Sequence, residues 1–251
     1  MKQLLIRADD LGFSEATNYG IYKTVKDGII RSVGLMPNMP YAQMGYDLIR
    51  DMDVCIGQHT NICVGTPLTD PKKIPSLVGE NGEFKSSKEY RTAKEDFVNL
   101  DEVILEIEAQ YERFLKITGQ KPHYFEGHAV ASRNFFLGLE IVAERHGLYY
   151  LPFNPAADTI PFGKAALHMY MDSMKPGYDP YDSLVKCMEG AGENVVEMFV
   201  CHPGYLDAYI LEKSSLTIPR VLEVEMCCSE RTKKYLRDNE IILVTYDDLV
   251  G

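Results

Sequence analysis

Two adjacent carboxylates follow the first apolar run of the chain. Residues 4–6 are Leu-Leu-Ile, and Asp9 and Asp10 stand a few positions later, before Gly12. This pattern predicts a buried strand that delivers acidic side chains into a loop at its carboxyl end. Two neighbouring carboxylates repel each other and are costly to desolvate, and a metal ion would relieve both problems. The alternative interpretation is a solvated acidic turn that opens the following helix.

Polar side chains also follow other strand-like runs. They are Asn38 after residues 29–36, His59 after residues 54–57, His128 at the end of residues 122–128 and His202 after residues 194–201. In a (β/α) barrel the carboxyl ends of the strands meet on one face, where such enzymes carry out their chemistry. The sequence therefore predicts one face with two carboxylates and three imidazoles.

This set of residues suits a metal-dependent hydrolysis. One carboxylate and two histidines are a frequent ligand set for a divalent metal that keeps positions open for water and substrate, and Asp10, His59 and His128 would supply it. Asp9 would then be free to take a proton from water. An imidazole with an ordinary pKa of about 6.5 can protonate a departing amine near neutral pH, and we assign this role to His202.

Other polar residues have weaker assignments. Asn38 is predicted either to hydrogen-bond the substrate or to fix the turn at residues 37–40, and Tyr205 either to line the pocket or to be a buried tyrosine with a satisfied hydroxyl. The remaining histidines are expected to have structural or surface roles. They are His123, His146 and His168.

The elements that must position these residues alternate between strands and helices. Near-continuous apolar strands separated by amphipathic helices predict an α/β fold, a parallel sheet with helices outside. A length of 251 residues and about seven strands favour a single TIM-like (β/α) barrel over an open sheet. No Gly-rich phosphate loop supports the open-sheet alternative.

Several element boundaries are predicted from periodicity and caps. Residues 148–151 are expected to be a strand, 165–171 a strand, 221–238 one long helix and 241–245 the last strand. A segment at about residues 63–99 is rich in Pro, Gly, Ser and Lys and has no clear periodicity. We expect a long loop insertion that lies over the mouth of the site, with a surface excursion without a role as the alternative.

Composition excludes several functional classes. Hydrophobic residues make up 45% and charged residues 25%, which is typical of a globular protein. A formal net charge of -11 and the lack of a basic face argue against nucleic acid as a partner. No apolar run approaches the ~18 residues of a membrane span, so we expect no membrane partner and a cytoplasmic location. The six cysteines have no CxxC spacing and are predicted to be reduced, mostly buried thiols.

Four motifs resemble those of one known family. They are residues 8–12 with Asn18, residues 57–61, Gly127 with His128, and residues 201–205. In order and spacing they resemble the YdjC-like carbohydrate deacetylase family, which includes chitooligosaccharide deacetylases, and the likeness covers nearly the whole chain as a single domain. It implies an irregular (β/α) barrel, often a homodimer. It also implies removal of an N-acetyl group from an amino sugar or a short N-acetylglucosamine oligosaccharide, in some cases phosphorylated.

The resemblance also assigns residues. It implies one divalent metal ion, Zn²⁺ or Mg²⁺, held by Asp10, His59 and His128, with Asp9 as general base and His202 as acid. Substrate-binding residues are expected at Asn38, Asn61, Tyr205 and Arg220.

The chain departs from the family pattern at two places. Val130 and Ser132 stand where the family usually has further histidines, and Arg7 replaces a residue that is often Asn. Loss of polar groups near a metal lowers affinity or activity by roughly 10–100-fold in other proteins. Two alternatives therefore stay open. One is a sugar-binding or regulatory barrel that has lost turnover, and the other is a metal-dependent sugar phosphoesterase.

Overall fold

A computed structural model of the protein describes residues 2–152, 157–192 and 195–250. The strands are β1 (Gln3–Leu11), β2 (Ser32–Leu35), β3 (Cys55–Thr60), β4 (Phe125–Gly127), β5 (Ile160–Phe162), β6 (Ala165–Tyr170), β7 (Val196–Cys201) and β8 (Ile242–Val244). The helices are α1 (Glu15–Lys26), α2 (Ala42–Ile49), α3 (Ser87–Thr92), α4 (Leu100–Thr118), α5 (Arg133–His146), α6 (Pro180–Glu189), α7 (Ala208–Lys213), α8 (Ile218–Cys228) and α9 (Glu230–Asp238). Short 3-10 turns lie at Pro71–Lys73 and Asp247–Leu249.

Within these residues the strands form one sheet in the order β4-β3-β2-β1-β7-β6-β5. β1 pairs with β7 along one edge, and its other edge pairs first with β8 and then with β2. All pairings are parallel except β5 with β6. The predicted α/β fold is confirmed, and the mostly parallel sheet curls into a TIM-like half-barrel.

The two faces of the sheet have different partners. On β1, Leu4 and Ile6 belong to the apolar cluster that includes residues of α1 and α8. Leu5 belongs instead to the cluster inside the barrel, with Met198 and Val200 of β7. Because side chains alternate along a strand, Arg7 and Asp9 follow Leu5 toward the interior. The first strand therefore carries charged residues to the inner, carboxyl-end region of the barrel.

Two strand predictions differ from the structure. The strand expected at residues 148–151 is reduced to a single parallel bridge between Tyr150 and Phe125. The reason is that β4 has only three residues, which leaves little backbone to pair with. The sequence also missed β5, which pairs antiparallel with β6 across a turn in which Gly163 has a φ of 56°. Residue 194, at the start of the predicted strand before His202, lies outside the described residues.

The long C-terminal helix predicted at residues 221–238 was wrong, because Ser229 divides it. Ser229 has extended backbone angles, and its hydroxyl accepts a hydrogen bond from the Thr232 N–H at 3.1 Å. This is an N-cap, which satisfies an otherwise unpaired donor at the start of α9. The periodicity of the two helices runs on across the break, and the cap is what separates them.

The segment at 63–99 is held against α4 by a buried carboxylate, Glu106. Glu106 accepts hydrogen bonds from the backbone N–H groups of Leu68 and Thr69 at 3.1 and 2.9 Å. Ser86 and Glu89 form a reciprocal capping box that starts α3.

Within the described residues, no helix is long and apolar enough to cross a membrane.

Candidate metal centre

A backbone irregularity brings both neighbouring carboxylates to the same side of the sheet. In a regular strand Asp9 and Asp10 would point to opposite faces. Asp10 instead has a φ of 75°, which is uncommon for a non-glycine residue, and the β1–β2 register shifts between Ala8 and Leu11. Both carboxylates therefore line one cavity at the carboxyl end of the barrel. Strained backbone of this kind is typical of functional sites.

Asn18 fixes the turn that follows the two carboxylates. Its side-chain oxygen accepts a hydrogen bond from the Gly12 N–H at 2.7 Å, and its amide donates to the Tyr41 carbonyl at 3.0 Å. Gly12 has a φ of 97°, and a Cβ there would lie 2.8 Å from the Ala42 backbone. The turn therefore requires glycine and its asparagine partner together.

Three potential metal ligands converge beyond this turn. Asp10 Oδ1 lies 3.3 Å from His59 Nε2 and 3.2 Å from His128 Nδ1. The two imidazole nitrogens are 2.8 Å apart. Asp10 is fully buried, and its Oδ1 has no hydrogen-bond partner among the described residues. A buried carboxylate oxygen that faces two imidazole nitrogens fits a divalent cation bound by one carboxylate and two histidines.

Each of the three ligand side chains is held by a further group. Arg220 Nη2 donates a hydrogen bond to Asp10 Oδ2 at 2.7 Å. His59 Nδ1 is in short contact with Glu126 Oε1. The Cys63 thiol interacts with His128. Such partners fix the orientation of metal ligands and are as important to affinity as the ligands themselves.

The charges of these ligands depend on one another. Burial alone would raise the pKa of Asp10, but the Arg220 guanidinium and the two imidazoles hold that pKa well below its usual range. Burial opposes protonation of His128, and the Asp10 carboxylate nevertheless raises its pKa to about 9. Burial has the same effect on His59, whose pKa is raised chiefly by Glu126 and Asp9. The raised pKa values favour protonated imidazoles in the absence of a cation, so binding of a cation would release protons.

Arg7 holds Asp9, the predicted base. Arg7 Nε lies 2.7 Å from Asp9 Oδ1, and Nη2 donates to Asp9 Oδ2 at 2.8 Å. Arg7 also lies 3.7 Å from Glu126 and donates to the Tyr246 hydroxyl at 3.0 Å. Burial opposes the charge of Arg7, but the carboxylates of Asp9 and Glu126 keep its pKa well above the usual value. The guanidinium therefore orients the Asp9 carboxylate.

His202 lies in the same cavity, and its imidazole is neutral in the resting structure. Desolvation by the surrounding protein lowers its pKa to about 4, despite the nearby charges of Asp10 and Asp9. The sequence-based expectation of an ordinary imidazole pKa was wrong for this reason. The His202 backbone N–H donates to Glu223 at 2.6 Å, which also accepts from Ser173 and Tyr178. Burial raises the pKa of Glu223 to about 7.

One cavity of about 390 Å³ contains most of the predicted site residues. Those that line it are Asp9, Asp10, His59, His128, His202 and Arg220. The loop insertion also reaches it through Ser87 and Arg91. Arg220, expected to contact substrate, uses its guanidinium to hold Asp10.

Three predicted substrate-binding residues do not line this cavity. The Asn38 side chain accepts from the Asn61 amide at 3.2 Å and donates to the Thr66 carbonyl at 3.2 Å. Asn61 also donates to the Val64 carbonyl at 2.7 Å. These contacts fold the start of the 63–99 segment. Tyr205 is half-buried and its N–H donates to the Ala16 carbonyl at 3.2 Å.

The other histidines pair with carboxylates away from this cavity. His123, His146 and His168 lie 2.6 Å from Asp247, Glu108 and Glu197. His123 and Asp247 also lie near Cys55. Together these three residues form a second group of side chains that could ligate a metal, near the amino ends of β3 and β4.

Sequence reasoning missed three residues of the site. A contact of Arg7 with Asp9 was not predicted, although its place two residues before Asp9 puts it on the same face of β1. Glu126 could likewise have been predicted to share a face with His128, because it stands two residues before it. Nothing in the sequence pattern identified the contact of Cys63 with His128.

Comparisons with known proteins identify the family of the chain. The profile of the YdjC-like protein family matches residues 3–238. Carbohydrate deacetylase 2 of Listeria innocua serovar 6a is 33% identical over 254 aligned positions, which cover 98% of each chain. A solved structure from Enterococcus faecalis V583, of a protein provisionally assigned to cellobiose-phosphate cleavage, is 23% identical. Its TM-score is 0.85, and the match covers 100% of this chain and 99% of that one.

A more distant fold neighbour is a family 4 acetyl xylan esterase from Clostridium thermocellum, solved in complex with a cobalt ion. It is 13% identical, with a TM-score of 0.53, and the match covers 99% of this chain and 90% of that one. At such identities the likeness to both solved structures shows the fold alone.

Proposed function

Because the chain belongs to the YdjC-like protein family, we propose that it is a metal-dependent carbohydrate deacetylase that hydrolyses the N-acetyl group of an amino sugar. The observation that carries this proposal is the convergence of Asp10 Oδ1, His59 Nε2 and His128 Nδ1 at one point of the cavity. Amide hydrolysis needs a polarised carbonyl, a base for water and a proton for the leaving nitrogen. The residues of the cavity supply a candidate for each.

Asp10, His59 and His128 would hold the cation. When bound, a divalent cation supplies Lewis-acid chemistry, because it polarises the amide carbonyl and makes water more acidic. Zn²⁺ suits this carboxylate and imidazole set best by ligand preference, and Mg²⁺ favours sites richer in oxygen.

Asp9 is the proposed general base. Its carboxylate lines the cavity beside the ligand group and has lone pairs left after the two contacts with Arg7. Arg7 keeps the carboxylate in one orientation, so that a proton from water can be received at a fixed position. The same two contacts engage both carboxylate oxygens of Asp9. These contacts are the observation that favours the alternative of a sugar-binding barrel without turnover.

His202 is the proposed acid that protonates the departing amine. Because its imidazole is neutral at rest, it must first take up a proton during the reaction. The negative charge that develops as water attacks the carbonyl raises the affinity of a neighbouring imidazole for a proton. His202 is therefore proposed to receive, after attack, the proton that Asp9 has taken from water, and to pass it to the nitrogen. Glu223 fixes the backbone of His202.

The proposed substrate is a short N-acetylglucosamine oligosaccharide. Arg91 and Lys213 reach the cavity, and Lys213 lies 3.8 Å from Glu83 and 3.2 Å from Glu212. Arg91 is therefore the residue we propose for contact with a phosphate on a phosphorylated substrate. Asn38 and Asn61 are proposed to act by holding the loop beside the cavity. Tyr205 does not line the cavity, so no contact with the substrate is proposed for it. A cytoplasmic homodimer is carried forward as a proposal that light scattering would test.

The experiment is acetate release from diacetylchitobiose and from its 6-phosphate. The protein is stripped with a chelator and then reloaded with Zn²⁺ or Mg²⁺. We expect release only from the reloaded protein, and a loss of at least about 100-fold in Asp9→Asn, the scale of general-base catalysis. Sugar binding that persists without acetate release would support the non-catalytic barrel. Phosphate release from sugar phosphates, without acetate release, would support a phosphoesterase.

A further inference from the structure

The catalytic cavity has one charged wall and one apolar wall. The charged wall comes from β1, β3 and β4, which contribute Asp9, His59 and Glu126. On the other side, β7 pairs with β1 so that Val200 lies beside Arg7, and β6 continues the sheet through Met169. Six apolar residues line the cavity, and we refer to them as the apolar wall: Ile160, Met169 and Val200 on β5, β6 and β7, Leu151 before β5, and Val130 and Phe136 after β4.

The apolar wall extends from the depth of the cavity to its rim. Val200 and Val130 are 1% and 4% exposed, and Leu151 and Ile160 are each 6% exposed. Met171 and Met174 continue the same lining at the rim, where they are 48% and 63% exposed. Val130 occupies a position at which the family resemblance implied a histidine. This wall is therefore apolar in part through a residue in which the chain departs from its family.

The rim also has a polar part. It is formed by Ser87, Arg91, Lys213, Ser214 and Ser215, which line the same cavity and are exposed or half-buried. The hydroxyls of a sugar need hydrogen-bond partners or water, and this rim supplies both. A sugar amide with its carbonyl at the cation site of Asp10, His59 and His128 would place its sugar toward the rim. The group on the other side of the carbonyl would then face the apolar wall.

We propose that the cavity accepts N-acyl groups longer than acetyl, with the acyl chain packed along the apolar wall. This inference rests on the proposed function, since it concerns the acyl side of the same amide. The methyl group of acetyl would contact little of a wall that runs from Val200 to Met174. A linear butyryl or hexanoyl group would cover much more of it, and flexible methionine side chains adapt well to such chains.

The reaction is ordinary amide hydrolysis. The oxygen of water bonds to the acyl carbon, and the bond from that carbon to the sugar nitrogen breaks. One water proton goes to the nitrogen and one is released from the new carboxylic acid. The products are a fatty carboxylate of the same chain length and a free amino sugar, and no oxidant or reductant is needed.

The test compares N-acetyl, N-propionyl, N-butyryl and N-hexanoyl chitobiose with the zinc-loaded protein. The free amino group is labelled in every assay, so that one readout serves all chain lengths. We expect kcat/KM to rise along the series, by at most about fourfold for each added methylene that becomes buried. A kcat/KM for hexanoyl below one tenth of that for acetyl would overturn the inference and leave deacetylation standing. If the protein hydrolyses no member of the series, the proposed function is overturned as well.

Two variants locate the acyl chain. Met169→Phe narrows the cavity, and we expect it to lower kcat/KM for the hexanoyl substrate at least tenfold more than for the acetyl substrate. Met52→Phe, at a half-buried methionine that does not line this cavity, is the matched control and should leave the ratio unchanged. Met171→Ser, at the exposed rim, avoids any effect on the core and should lower the same ratio. Equal losses on all chain lengths in both cavity variants would contradict the proposal.

Discussion

Arg220 and Asp10 stand 210 positions apart in the chain, and their side chains are joined by a 2.7 Å hydrogen bond from Nη2 to Oδ2. Both are buried, so this ion pair is shielded from solvent. It occupies one oxygen of Asp10 and leaves the other facing His59 and His128. A residue from α8, near the other end of the chain, thus sets the orientation of the carboxylate that we propose to bind the metal.

Replacing Arg220 by Lys should weaken metal binding. Lysine keeps a positive charge but lacks the planar, rigid donor group that orients the carboxylate. We expect the affinity for Zn²⁺ to fall by roughly 10–100-fold, as for other residues that orient metal ligands. Isothermal titration of the chelator-stripped protein measures it, with Arg237→Lys on α9 as the control. An unchanged affinity in Arg220→Lys would contradict an orienting role.

Glu126 should act on the metal through His59. In Glu126→Gln the His59 ring loses the carboxylate that holds its Nδ1, and the affinity for Zn²⁺ should fall by roughly 10–100-fold. The chain offers a matched control in Glu197, which is buried and lies 2.6 Å from His168 outside the cavity. Glu197→Gln should leave metal affinity unchanged. Equal losses in the two variants would point to a general effect on folding and would count against the specific one.

Arg7 should be essential for stability because it is buried among charges. Its removal in Arg7→Met leaves Asp9 and Glu126 buried without their partner, which costs about 3–5 kcal/mol of unfolding free energy for pairs of this kind. Asp9→Asn removes one of those charges. The double variant should therefore lose less than the sum of the two single losses. Urea denaturation measures all three, and strict additivity would show that the pair is not coupled.

The neutral imidazole of His202 predicts a dependence of stability on pH. The unfolded pKa is about 6.5 and the folded pKa about 4. As the pH falls, the unfolded chain takes up a proton first, so stability is lost between about pH 6.5 and 4. His202→Asn lacks this loss, and the wild-type unfolding free energy should decline relative to the variant by about 2–3 kcal/mol between pH 7 and 4.

Glu223 also titrates in this pH range, and it is present in both the wild type and the His202→Asn variant. Its raised pKa stabilises the fold below about pH 4.5, a contribution lost as the pH rises through about 7. This effect has the opposite sign and cancels in the difference between wild type and variant. A difference that stays constant from pH 7 to pH 4 would show that the His202 imidazole titrates normally in the folded protein.

The fold was largely predictable because its signals are local. Apolar runs, helix caps and glycine stops gave the order of most strands and helices. The split at Ser229 depended on which of two conformations a serine adopts, and the bridge at Tyr150 depended on the short length of a neighbouring strand. Hydrophobic periodicity reports neither the conformation of a single serine nor the length of a strand 25 positions away.

The candidate site was predictable as far as strand ends could be located. Asp9, Asp10, His59, His128 and His202 share one cavity because parallel strands end on one face. The groups that hold them depend on side-chain orientation. Arg220 reaches Asp10 from a helix, and Ser132, at a position where the family has a histidine, instead caps α5 and donates to Asp96 at 2.9 Å.

Anomalous diffraction from crystals of the zinc-loaded protein tests the central claim most directly. The account predicts one strong zinc peak about 2.0–2.2 Å from Asp10 Oδ1, His59 Nε2 and His128 Nδ1, which is ordinary coordination distance. Absence of a peak there, or a peak only beside Cys55, His123 and Asp247, would contradict it.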